Sequence, residues 1–141
     1  MRALMSRPCR AHSAGTPGGA APSTTGLDRE ALARLAELDP TGKGGLIERV
    51  LQAFLTSVAR MRPQFEAAVA SGDAAGVRLV AHTLKSSSAS IGALELSRCC
   101  AQAEAAARLG TERGFGAEAA AMAVALDQAL LAVERQLKAP P

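Results

Sequence analysis

Along most of this chain apolar residues recur at intervals of three and four, with polar and charged residues between them. On a helix of 3.6 residues per turn that spacing makes one apolar stripe. A short helix is predicted over about 27–38, with Leu27, Ala31, Leu35 and Leu38 on one side. Thr25 ahead of Asp28 is a start signal, and Asp39-Pro40-Thr41-Gly42 a break. A long run follows, in which Ile47, Val50, Leu51, Phe54, Leu55, Val58, Met61, Phe65 and Val69 keep helical spacing through Pro63. A proline inside such a run predicts a kink or a new start, because it lacks an N–H and crowds the preceding turn. In Ser71-Gly72-Asp73 the glycine suits a left-handed cap and the aspartate accepts the first free amides of the next helix. That third helix is expected over about 73–90, interrupted by Gly92. A fourth runs over about 93–109, with Leu96, Cys99, Cys100, Ala103, Ala106 and Ala107 inward. After a loop from Gly110 to Gly116, a last helix over about 117–137 buries Ala119, Met122, Leu126, Leu130, Val133 and Leu137. Four long amphipathic helices on short connections pack best as an antiparallel bundle. The expected fold is therefore all-α: an antiparallel four-helix bundle with a short extra N-terminal helix, spanning 27–138. Residues 1–26, rich in Gly, Pro, Ser and Thr, read as a flexible segment, and 139–141 as a tail.

Composition supports the helical reading. Of the 141 residues, aromatics make up 2% with no Trp or Tyr, while Ala is abundant. Strands draw on β-branched and aromatic residues, so a sandwich, barrel or doubly wound sheet is disfavoured. The net charge of +3 is mild, and without Trp or Tyr to stack on bases a nucleic-acid role has little support. Cys9, Cys99 and Cys100 give no disulfide framework, which favours a reducing compartment. No run of about 18 apolar residues is evident, which argues against a membrane span. Met1 to Ala21 lacks the apolar stretch of a signal peptide. The expected location is the cytoplasm.

Candidate chemistry sits on the third helix. With Leu84 at zero and about 100° per residue, Val77, Val80, Ala81, Ser88 and Ile91 fall within about 60° and form the core face. His82 falls about 160° away and points out of the bundle. Arg78 and Lys85 flank it, Ala75, Ser86 and Ala89 lie beside it, and Leu79 adds one exposed apolar group. Small neighbours leave the imidazole accessible to another protein's active site. A cation one turn away disfavours imidazolium and keeps a nitrogen lone pair free, and the same Lys85 can pair with a phosphoryl dianion once attached. Ser87 and Ser88 read as packing residues, since no second histidine accompanies them as a base. Vicinal Cys99 and Cys100 point about 100° apart and with His82 do not make a closed metal site. Gly42-Lys43 lacks both the upstream glycine and the following Ser or Thr of a phosphate-binding loop.

The segment Ala81-His82-Thr83-Leu84-Lys85-Ser86-Ser87-Ser88-Ala89-Ser90-Ile91-Gly92-Ala93 resembles the signature of histidine-containing phosphotransfer (HPt) domains of bacterial phosphorelays. The shared elements are His-x-Leu-Lys, a small residue after the Lys, and a glycine further on at Gly92. Cys100 and Glu104 to Arg108 resemble the family's pattern on the next helix, and Phe54-Leu55 and Gly72-Asp73 its upstream pairs, so the similarity spans about 28–137. The resemblance implies a phosphoryl carrier, not an independent enzyme. His82 would be phosphorylated, Lys85 would stabilise the phosphoryl oxygens with Arg78 assisting, and Ala75, Leu79, Ser86 and Ala89 would line the docking face. The implied partners are response-regulator receiver domains, with those of a hybrid histidine kinase left open. Mg²⁺ would belong to the receiver, and this chain, a monomer, would hold no cofactor or metal. Two departures stand out. Ser86 replaces the glycine of many members, and Glu104 stands where some relatives place a Gln that orients the imidazole. An ion pair between Glu104 and Arg108 accounts for the glutamate equally well. The competing expectation is a non-catalytic interaction module using the same face.

Overall fold

A computed structural model of the chain describes residues 26–110 and 112–138, and among them there are five helices and no strand. They are α1 (Arg29–Glu37), α2 (Leu46–Ser71), α3 (Ala74–Ser90), α4 (Leu94–Leu109) and α5 (Gly116–Lys138). Neighbouring helices α2, α3, α4 and α5 pack in sequence, and α5 closes the ring against α2, so the all-α four-helix bundle is observed, with α1 laid on α2. The expected flexible leader, the start signal at Thr25 and the C-terminal tail lie outside the described residues, Gly26 apart.

Local chemistry explains the boundaries. The Asp28 carboxylate accepts the Ala31 amide at 3.1 Å and starts α1. Asp73 does the same for α3 through Gly76, also at 3.1 Å. Between them, Asp39 accepts the amides of Gly44 and Leu46, tying the α1–α2 turn to the first turn of α2. At the end of α2, Gly72 takes a φ of 72°, and the Asp73 amide donates back to the Ala68 carbonyl at 2.8 Å. Pro63 neither breaks α2 nor starts a new helix. Residues 59 and 63 are both exposed, so water can take the Ala59 carbonyl that the proline leaves without a donor.

The core follows the expected stripes, with Leu51, Phe54, Val58, Leu84, Leu96, Met122, Leu126 and Val133 all buried. Leu130 and Leu137 are only partly buried. Two expectations need correction. Leu38, placed on the inner side of the first helix, is 75% exposed, because it forms the C-cap beyond the last packed turn. The segment Gly116–Lys138 is long and apolar enough to cross a membrane by length and composition, owing to its alanines and sparse charge. Here it is a bundle helix with Met122, Leu126 and Val133 in the core. Cys100 is free and buried, as its inward placement on the fourth helix predicts.

The α3–α4 turn fixes the position of α1. Asp28 donates its amide to the Gly92 carbonyl at 2.8 Å. Gly92 sits at φ +86°, and a Cβ there would lie 2.6 Å from the Asp28 nitrogen. Only glycine meets both demands.

Candidate functional site

Helix α3 presents two faces of different chemistry. Val77, Val80, Ala81, Leu84 and Ser88 are buried, while Ala75, Arg78, Leu79, His82, Ser86 and Ala89 are exposed and Lys85 is half-buried. The wheel drawn from sequence thus matches the exposure of every named position. Leu79 is 63% exposed, an apolar group unshielded beside the histidine. The hydroxyls of Thr83, Ser87, Ser88 and Ser90 each donate to the carbonyl four residues earlier, at 3.0, 3.3, 2.6 and 3.1 Å. Such back-bonding lets a serine-rich helix pack its polar atoms without outside partners.

The His82 side chain is 67% exposed, yet its ring is held. Nδ1 lies 2.9 Å from Glu104 Oε2, across the α3–α4 interface. The other oxygen of the same carboxylate accepts from Lys85 Nζ at 2.7 Å. About two turns before Glu104 on α4, the Ser97 hydroxyl donates to the Lys85 carbonyl at 3.0 Å. Glu104 is 13% exposed and Lys85 37%, so the pair is sheltered at its carboxylate end and open at its ammonium end. The Lys85 ammonium holds the Glu104 carboxyl below its ordinary value of 4.5; burial opposes this and the His82 ring adds to it. Below this cluster, burial pushes the Cys100 thiol up to about 12, with Lys85 pulling the other way.

These facts settle which ring nitrogen is available. An ionised carboxylate accepts hydrogen bonds and donates none, so Nδ1 must carry the proton that joins it to Glu104. In the neutral ring Nε2 then keeps its lone pair, and it has no hydrogen-bond partner among the described residues. The arrangement can present one fixed, nucleophilic nitrogen to solvent with an ammonium group nearby.

Sequence reasoning brought His82, Lys85 and Arg78 to one face but left Glu104 between two accounts. Glu104 bonds His82 and Lys85, and among the described residues no ion pair joins it to the exposed Arg108. The available signal was register: Glu104 and His82 lie at similar separations on either side of Gly92, so an antiparallel α3–α4 pair brings them opposite each other. Arg78 is exposed and has no ion pair among the described residues. No group of three or more metal-ligating side chains occurs among the described residues.

The Hpt domain family model matches residues 49–136, from the start of α2 nearly to the end of α5. Helix α1 lies outside the matched range. No curated protein and no solved structure matches the chain. With well over half of its residues matched and the matched segment folded as a helical bundle, the chain belongs to the Hpt domain family.

Proposed function

We propose that the chain carries a phosphoryl group on His82 Nε2 between aspartates of response-regulator receiver domains. Membership of the Hpt family supports histidine phosphotransfer in two-component signalling and interaction with receivers. The observation that carries the assignment to this residue is the single carboxylate shared by His82 and Lys85. A receiver bearing an aspartyl phosphate docks over Ala75, Leu79, Ser86 and Ala89, whose small or apolar side chains let its active site approach the ring. Nε2 attacks phosphorus in line, the P–O bond to the aspartate breaks, and the positive charge arising on the ring is met by Glu104. Lys85, at the open end of its ion pair, stabilises the phosphoryl oxygens, and Arg78 assists from one turn earlier. Delivery to a second receiver reverses these steps. Mg²⁺ and the acidic cluster that binds it belong to the receiver. The chain acts as a cytoplasmic monomer without a metal, cofactor or nucleic-acid partner, and it is a carrier, not an independent enzyme.

The test is transfer from a receiver charged with acetyl phosphate. Wild-type chain should gain acid-labile, base-stable phosphate, and His82→Gln, folded to the same degree, should gain none. Label that persists on His82→Gln refutes the assignment. A wild-type chain that binds the receiver without ever accepting label identifies a non-catalytic interaction module instead.

A further inference from the structure

An imidazole phosphorylated on Nε2 is a good donor only while Nδ1 keeps its proton. With that proton, breaking the N–P bond releases a neutral imidazole; without it, the leaving group is an imidazolate anion, which departs far less readily. Whatever holds the proton sets the pH range over which the group can leave. In this chain Nδ1 faces a carboxylate oxygen at 2.9 Å, a hydrogen bond that exists only while Nδ1 carries its proton. The carboxylate is only 13% exposed, so solvent screens it less than at an open surface. Lys85 on α3 is bound to the other oxygen of Glu104, and Arg78, one turn before His82, is exposed. On α4, Arg108 is exposed and the Cys100 thiol is uncharged at neutral pH. Among the described residues no charged side chain of α1, α2 or α5 bonds to His82 or Glu104.

We propose that Glu104 is a positioning residue that holds the Nδ1 proton on phosphorylated His82 and so keeps the phosphohistidine a reactive donor into mildly alkaline solution. The proposal rests on the carrier role given above. In hydrolysis, a water oxygen attacks phosphorus and the N–P bond breaks with its electron pair remaining on Nε2. The water's proton passes to solvent or phosphate, inorganic phosphate leaves, and the ring returns neutral with its proton still on Nδ1 toward Glu104. Transfer to a receiver follows the same course, with an aspartate oxygen in place of water.

Phosphoramidate loads the chain without any partner: Nε2 attacks phosphorus and ammonia departs. After the donor is removed, loss of phosphate is followed against pH for wild type and Glu104→Gln, which keeps the size and an acceptor oxygen but not the charge. The wild-type rate should hold to a pH about one unit higher than the variant's, so that beyond both limbs the variant's phosphohistidine lasts about tenfold longer. Coincident profiles, or a limb at higher pH in the variant, overturn the proposal. Lys85→Met leaves the carboxylate on Nδ1 and should keep its limb at or above the wild-type position; a fall to that of Glu104→Gln overturns it too. If Glu104→Gln does not fold, the 15N shift of Nδ1 in phosphorylated wild type gives the answer. Nδ1 should stay protonated about one pH unit beyond the point at which free Nε2-phosphohistidine deprotonates, and equal titration counts against the idea. A wild-type chain that takes no label at His82 sinks the carrier role and this proposal together, whereas a labelled chain with coincident profiles sinks only this one.

Discussion

At the scale of single residues, Glu104 ties α3 to α4 and fixes the tautomer of His82 with one carboxylate. Its depressed titration has a consequence for stability. A carboxyl whose folded value is lowered contributes stability that is complete above its unfolded value near 4.5 and is lost as pH falls through the lower folded value. Wild type should therefore have the higher urea midpoint at pH 7, and its lead over Glu104→Gln should close as pH falls below 4.5 and through the lowered folded value. A lead that stays unchanged all the way into the acid unfolding transition contradicts this reading. Lys85→Ala should slow receiver-to-chain transfer on the order of tenfold or more, since it removes a donor aimed at developing phosphoryl charge. Its melting temperature should fall by no more than about 5 °C, because a partly exposed pair contributes little. A large loss of stability assigns Lys85 a structural role instead. The outward direction of His82 was legible from helical spacing alone, since a core residue and a surface residue on α3 differ by half a turn. The hydrogen bond from Nδ1 was not, because it joins residues on two helices and depends on the register between them.

At the scale of elements, the boundaries of α3 and α4 follow from residues that sequence already singles out. Asp73 caps α3, Gly72 ends α2 in the left-handed region, and Gly92 separates α3 from α4. The reason for Gly92 was not readable from the chain. It is a close approach by the Asp28 backbone, which comes from a segment far away in sequence. Gly92→Ala should destabilise the fold by about 2 kcal/mol or more, through a positive φ and a clash with Asp28 together. Denaturant titration measures the loss, and amide exchange should rise first in α1; an alanine variant as stable as wild type contradicts the close approach. Pro63 shows the opposite limit of sequence reading. The rule that proline ends a helix is local, and packing of Phe54, Val58, Met61 and Phe65 along one face holds α2 together across it.

At the scale of the whole molecule, the bundle gives the site a rigid floor. The core face of α3 is fully buried, and α3 and α4 form the most extensive helix pair. Replacing Leu84, which lies among these buried side chains, with Ala should cost about 3 kcal/mol as a single cooperative loss. A loss confined to local exchange at α3 contradicts a bundle that unfolds as one unit. Aromatic poverty and abundant alanine made the all-α class evident from composition, whereas the part of the bundle matched by the Hpt model excludes α1.

The central claim is that this scaffold displays Nε2 of one imidazole, its other nitrogen engaged by Glu104. Combined 31P and 15N spectra of the phosphorylated chain read the bonded nitrogen directly. The account predicts a one-bond phosphorus coupling at Nε2 of His82 and none at Nδ1. Coupling at Nδ1, or phosphate on any other residue, contradicts it.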